Sequence, residues 1–193
     1  MGGPERLLLV RHATSPGVRE ARFPPGGTDA GGPADAGGLA RARRLAGTLP
    51  GAQAWSSPSR AALETCAALG LAARPVAALA EADHGRWSGL PYARVAASEP
   101  EALHRWLSDP HAAPHGGESR AAHAARVAAW LDTGVSGVAV CDAGVIRAAL
   151  AHVLGMDVTA ADRVDLAPLS VTSLTAPAGN GRRVAHVNRK VAD

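Results

Sequence analysis

Arg6-Leu7-Leu8-Leu9-Val10-Arg11-His12-Ala13-Thr14 is the stretch on which the fold turns. After Arg6, residues 7–10 form a short continuous apolar run near the chain start. Such a run is too short for a helix of ordinary length and suits a central parallel strand buried on both faces. It breaks off at a cation and an imidazole. Two further predicted strands also end in polar sequence: 52–56 in Ser56-Ser57 with Arg60, and the buried run 138–141 in Cys141-Asp142. Between them, helical patterns alternate with the strands. Asp35 reads as an N-cap followed by Leu39, Ala42, Leu45 and Leu49, and Pro50-Gly51 stops that helix. Ser57-Pro58 opens a second helix to about residue 69, with Pro58 tolerated in its first turn. Ser119 caps a third helix whose Ala122, Val127, Trp130 and Leu131 form an apolar stripe, and residues 144–154 form a fourth.

Residues 15–33, rich in Gly and Pro, read as a long loop, and 74–79 as a short strand. Residues 92–98 and 100–107 read as short helices, and 170–175 and 183–187 as closing strands. Alternating strands and helices predict an α/β fold, a three-layer α/β/α sandwich on a mostly parallel sheet. With 193 residues, no repeats and no dividing linker, the prediction is one domain over 1–193. Ligands of such sheets bind at the carboxyl ends of the strands. The three polar strand ends therefore define the expected site.

Composition narrows the function. Hydrophobic residues make up 47% of the chain but aromatics only 3%, so the core is Leu, Val and Ala with four Trp. The charge is +3, carried almost wholly by arginines interleaved with acids, Lys190 being the single lysine. No basic run carries aromatics, which argues against a nucleic-acid partner and leaves room for a small anionic substrate. No run approaches the ~20 apolar residues of a membrane span, and no signal-like segment opens the chain. A cytoplasmic protein without membrane partner is expected, and a homodimer is compatible with the reading. Cys66 and Cys141 lie in apolar stretches and read as buried thiols. His111 and His115 are separated by Pro114, so no helix presents them to a metal; no metal and no cofactor are expected.

By itself, Arg11-His12 is either a strand-end pair capping carbonyls or a nucleophilic imidazole beside an anion-gripping guanidinium. The rest of the chain weighs in. Leu9-Val-Arg-His-Ala-Thr14 resembles the R-H-G-x-T signature of the histidine phosphatase superfamily, the phosphoglycerate-mutase-like fold. Residues 56–65 resemble its SSPxxRAxxT segment and 79–89 its LxExxxGxWxG segment. Gly116-Gly-Glu-Ser119 resembles its GGES turn, and 143–147 the tail of its HGGVIR motif. The segments occur in the family's order. The short insert after Gly89 is similar to the small bacterial phosphatases of the α-ribazole phosphatase type.

The resemblance implies a role for each matching residue. His12 would take the phosphoryl group, forming a phosphohistidine. Arg11 and Arg60 would clamp it, and Thr14 would donate a further hydrogen bond. Glu81 would protonate the leaving oxygen and then activate water. Trp87 would pack beneath the site, and Arg22 would be a solvated loop residue. The sequence departs from the family at Asp142, where a second histidine is usual, and at Ala13 and Ala143, where glycines are usual. An ionised carboxylate ~4 Å from a phosphoryl charge costs roughly 4 kcal/mol at an effective dielectric of ~20. Losing a donor costs about 2.7–4 kcal/mol of transition-state stabilisation.

Three readings stand. The chain is a phosphomonoester hydrolase, with Asp142 protonated or His115 standing in. Alternatively it is an acid/base enzyme (isomerase, dehydratase or cyclase) using a His12–Asp142 pair. The third is a non-catalytic anion-binding domain. An engineered Asp142 would also fit, although Cys141 and Ala143 depart alongside it.

Overall fold

The computed structural model describes residues 5–24, 32–49, 53–176 and 181–190. The elements in chain order are β1 (Glu5–Arg11), α1 (Pro16–Arg19), α2 (Ala36–Arg44), β2 (Ala54–Ser56), α3 (Arg60–Ala68) and β3 (Arg74–Pro75). There follow α4 (Tyr92–Ser98), α5 (Pro100–Ser108), α6 (Arg120–Leu131), β4 (Gly137–Cys141), α7 (Ala143–Leu154), α8 (Val158–Ala161), β5 (Ser170–Ala176) and β6 (Arg183–Lys190). The six strands form one sheet in the order β3-β2-β4-β1-β5-β6. β1 to β4 run parallel to one another, and β5 runs antiparallel to both β1 and β6.

β1 lies inside the sheet, as its unbroken apolar run requires. Its side chains alternate between faces. Leu7 and Leu9 pack with Val127 and Leu131 of α6 and with Ile146 and Leu150 of α7. Leu8 and Val10 pack with Ala42 of α2, Leu45, and Ala61, Ala62 and Cys66 of α3. A fully buried leucine stabilises by about 1.5–3 kcal/mol relative to an exposed one. Both faces therefore hold β1 in place, which gives the three layers. A separate cluster of Phe23, Trp87, Val95 and Leu103 supports the α4–α5 insertion beside the sheet.

The capping expectations are met: the Asp35 carboxylate accepts from Gly38 N–H at 2.6 Å and the Ser119 hydroxyl from Ala122 N–H at 3.1 Å. Two expectations need correction. The 15–33 stretch is not all loop, since Pro16–Arg19 forms a helical turn with Pro16 at its start; residues 25–31 of it lie outside the described residues. The 74–79 strand stops at Pro75, and Ala77–Leu79 turns into a 3-10 helix. β3 is a sheet edge, where Pro75 can lack a ladder donor without loss.

The register of the parallel strands positions the chemistry. Arg11 pairs with Cys141, and Ser56 with Val140. The ladders run on past the strand ends: His12 N–H donates to Cys141 O at 3.0 Å, and Ser57 N–H to Val140 O at 2.8 Å. His12, Asp142 and Ser57 thereby emerge side by side on one edge.

Candidate active site

His12 is almost fully enclosed. Its Nδ1 lies 2.6 Å from Ala13 O, a pure acceptor, so Nδ1 carries the proton. Its Nε2 lies 3.0 Å from Asp142 Oδ1. An ionised carboxylate also only accepts, so the contact requires a proton on Nε2 as well. With Asp142 ionised, the two side chains form an imidazolium–carboxylate pair. Burial works against the His12 cation, but the Asp142 charge, its hydrogen bond and the Ala13 carbonyl outweigh it and raise the His12 pKa above 6.5. Burial likewise works against the Asp142 anion; His12, the Ser57 hydroxyl and Arg11 prevail and hold it below 3.8.

Asp142 sits at the N-cap of α7 without bonding the helix amides. Its Oδ2 instead accepts from the hydroxyls of Ser57 at 3.2 Å and Ser59 at 3.4 Å. The serines of the 56–65 segment thus orient the carboxylate. Thr65 has a local task as well: its hydroxyl oxygen accepts from Ala13 N–H at 3.0 Å and fixes the turn after His12.

Glu81 reaches the same edge from the opposite side. Its carboxylate accepts from Ala82 N–H at 2.8 Å and from Gly144 N–H at 3.2 Å, at the start of α7. A Cβ on Gly144 would lie 2.2 Å from Glu81 Oε1, so only glycine leaves room for this contact. A backbone strap supports the residue. Arg126 donates to Glu81 O at 3.2 Å and Ala78 O at 2.9 Å, and Glu118 of the Gly-Gly-Glu-Ser turn grips Arg126 at 2.7 and 2.8 Å. His123 lies beside the carboxylate, its Nε2 buried and 3.7 Å from Glu81 Oε1.

These groups open into a cleft of about 400 Å³. Arg11, His12, Glu81, His123, Asp142 and Arg147 line it, together with Phe23, Tyr92 and Trp106. Arg11 donates to Leu166 O and Arg147 to Val164 O, the latter at 3.1 Å, so both guanidinia hang from one segment. Burial and the neighbouring Arg147 lower the Arg11 pKa. A second cavity of about 200 Å³ lies behind Val18 and Phe23, and His12 and Asp142 line it too.

Of the residues singled out from sequence, Arg11, His12, Glu81 and Asp142 converge on the cleft. Arg60 does not line it: its side chain is exposed and its Nε donates to Glu64 at 2.9 Å. Thr14 does not line it either; its carbonyl accepts from Asp35 N–H at 2.7 Å. His115 packs against Trp87 at 4.9 Å between centroids, away from the cleft. Arg22 does line the cleft. Sequence reading missed His123, Arg126 and Arg147. One signal was present for His123: it shares the buried face of α6 with Val127 and Leu131, at a four-residue spacing.

A mixed sheet with an imidazole, a half-buried guanidinium and a carboxylate at the carboxyl ends of its parallel strands has the ligand site expected of an α/β enzyme fold. Residues 7–190 match the model of the histidine phosphatase superfamily (branch 1), and the chain belongs to that hydrolase family. Over 129 residues it is 38% identical to the bifunctional protein Rv2228c of Mycobacterium tuberculosis, covering 61% of this chain and 34% of that protein. Over 120 residues it is 38% identical to the glucosyl-3-phosphoglycerate phosphatase of Mycolicibacterium vanbaalenii, covering 53% of each. The chain thus spans about a third to a half of the length of these curated relatives. The native structure of the mycobacterial glucosyl-3-phosphoglycerate phosphatase Rv2419c superposes with a TM-score of 0.81 at 26% identity, covering 97% of this chain and all of that one. No helix among the described residues is long and apolar enough to cross a membrane.

Proposed function

We propose that the chain is a phosphomonoester hydrolase acting on a small-molecule phosphate through a phosphohistidine at His12. The observation that carries the reading is the orientation of His12. With Nδ1 turned back onto Ala13 O, Nε2 is the ring nitrogen left to face the cleft, beside Arg11. A nucleophile needs a lone pair, and the resting Nε2 holds a proton. The Asp142 contact supplies the route for its removal. When a phosphate dianion enters, its field favours a neutral carboxyl group, and the Nε2 proton passes to Asp142 Oδ1 along the 3.0 Å bond. The total proton count is unchanged. Imidazole gains its lone pair, the carboxylate loses its repulsive charge, and the new O–H donates to a phosphoryl oxygen, as the family's second histidine would.

Nε2 then bonds to phosphorus while the ester P–O bond breaks, and Glu81 delivers a proton to the leaving oxygen. In the second half, Glu81 takes a proton from water, whose oxygen attacks phosphorus as the N–P bond breaks. Arg11 and Arg147 offset charge on the equatorial oxygens.

The His12–Asp142 distance also favours a second reading, in which the imidazolium is a general acid and Asp142 its orienter. Phosphate release from a phosphomonoester panel separates the two, run with wild type, His12→Ala and Asp142→His. The hydrolase reading expects release that His12→Ala abolishes, an acid-labile phosphorylated enzyme on rapid quench, and at least a tenfold gain in Asp142→His. No release from wild type together with activity in Asp142→His would overturn it in favour of acid/base chemistry.

A further inference from the structure

Arg11 faces the cleft, but what holds its guanidinium lies outside the cleft lining. The guanidinium donates to Leu166 O, and the Arg11 carbonyl accepts from Leu169 N–H at 2.9 Å. Residues 164–169 are neither helix nor strand, so no regular ladder fixes them. Leu169 is buried at a φ of 63°, a conformation that leucine rarely adopts and that persists only where the surroundings impose it. The segment needs outside support to present the Leu166 carbonyl in a fixed direction.

That support comes from the edge of the sheet. Val171 pairs with Arg189 but Ser173 with His186, so β6 carries an extra residue opposite Thr172. Bulges of this kind re-aim a side chain. Asn188 lies in the bulge at a φ of 55°, a conformation asparagine tolerates better than most residues. Its Oδ1 accepts from Ala167 N–H at 2.7 Å. Ala167 N–H and Leu166 C=O belong to the same peptide group. That group is planar and trans, so its N–H and C=O point in opposite directions. Fixing the N–H on Asn188 fixes the direction of the carbonyl that seats Arg11, and the two bonds in series polarise one another.

We propose that Asn188, on the outermost strand, is a positioning residue for anion binding: it sets the plane of the 166–167 peptide and thereby aims the Arg11 guanidinium at the phosphoryl group. The proposal rests on the hydrolase reading above. The test measures calorimetric affinity for inorganic phosphate, kcat/KM for nitrophenyl phosphate and thermal unfolding. Wild type, Asn188→Gly, Asn188→Asp and His186→Ala are compared. Glycine accepts the positive φ but removes the acceptor. Aspartate keeps the acceptor. His186 is exposed on the same strand and serves as the control.

The expected result is phosphate affinity and kcat/KM both falling about tenfold in Asn188→Gly, the scale of one net hydrogen bond, with most of the loss recovered in Asn188→Asp and none seen in His186→Ala. Lower thermal stability in Asn188→Gly with unchanged phosphate affinity overturns the proposal, since the bond would then be structural alone. An aspartate no better than glycine, or an equal loss in His186→Ala, overturns it too. Phosphate that fails to bind wild type counts against the hydrolase reading, and nitrogen NMR of the Arg11 side chain then decides. Faster guanidinium rotation in Asn188→Gly than in wild type sustains the positioning role, and unchanged rotation overturns it.

Discussion

Asp142 meets His12 through one carboxylate oxygen at 3.0 Å. Its pairing with His12 links stability to pH in a defined window. The His12 pKa is raised above 6.5, so its contribution is complete below that pH and is lost as pH rises through the raised value. The Asp142 pKa is lowered below 3.8, so its contribution is complete above that pH and is lost as pH falls through the lowered value. Between pH 3.8 and 6.5 both are present. Asp142→Asn should then destabilise by up to about 3–5 kcal/mol in that window, the cost of breaking a buried pair, and the gap should close at alkaline pH. Denaturant unfolding of both proteins across pH checks this; a gap that widens with pH would contradict the ion pair. Part of this site was legible in the sequence because strand ends announce themselves: Arg11, His12 and Asp142 each follow an apolar run. Arg60 read as a clamp from the SSPxxRAxxT pattern, but counted from Ser56 that pattern puts its arginine at Ala61, which lines the second cavity with His12, while Arg60 lies one residue earlier and pairs with Glu64. Arg147 was hidden because one arginine in the first turns of a helix looks like any other.

At the scale of elements, the Gly-Gly-Glu-Ser turn was legible as a motif but not as a device. Its meaning needs three dimensions. Gly117 sits where a Cβ would be 2.2 Å from Asp83 O, so the turn locks against the segment carrying Glu81. Glu118 then holds Arg126, which spans the carbonyls of Ala78 and Glu81. The Arg126 charge holds the Glu118 carboxyl below its ordinary range despite burial. Glu118→Gln should loosen this strap without touching substrate. The expected outcome is a kcat loss of about tenfold, greater for poor leaving groups than for nitrophenyl esters, because only poor leaving groups need a well-aimed acid. Equal losses for all leaving groups would place Glu118 outside the positioning of Glu81. The missed helix at Pro16–Arg19 and the truncated β3 have a common cause. Gly- and Pro-rich stretches advertise breaks, not the single turns that fit between them.

At the scale of the molecule, the sandwich was readable because each central strand is apolar on both faces and must be covered twice. Sheet order was not readable, since nothing local says that β1 lies between β4 and β5. The order matters for dynamics. The His12 amide bonds to Cys141 O between the two innermost parallel strands. Its hydrogen exchange should therefore follow global unfolding, with the full denaturant dependence, while amides of the exposed α1 turn exchange by local opening. Exchange measured by NMR over a denaturant series tests this, and a shallow dependence at His12 would show that the site opens on its own.

The in-register run from Arg11–Cys141 to His12 and Asp142 has one more consequence. The place of residue 142 is set by main-chain ladders on both sides of β4 and owes nothing to the side chain it carries. The fold behaves as a jig with a replaceable bit: carboxylate, imidazole or amide at 142 would each start from the same backbone point beside His12. A single codon can thus change which group the frame presents to His12 without a change in the frame itself.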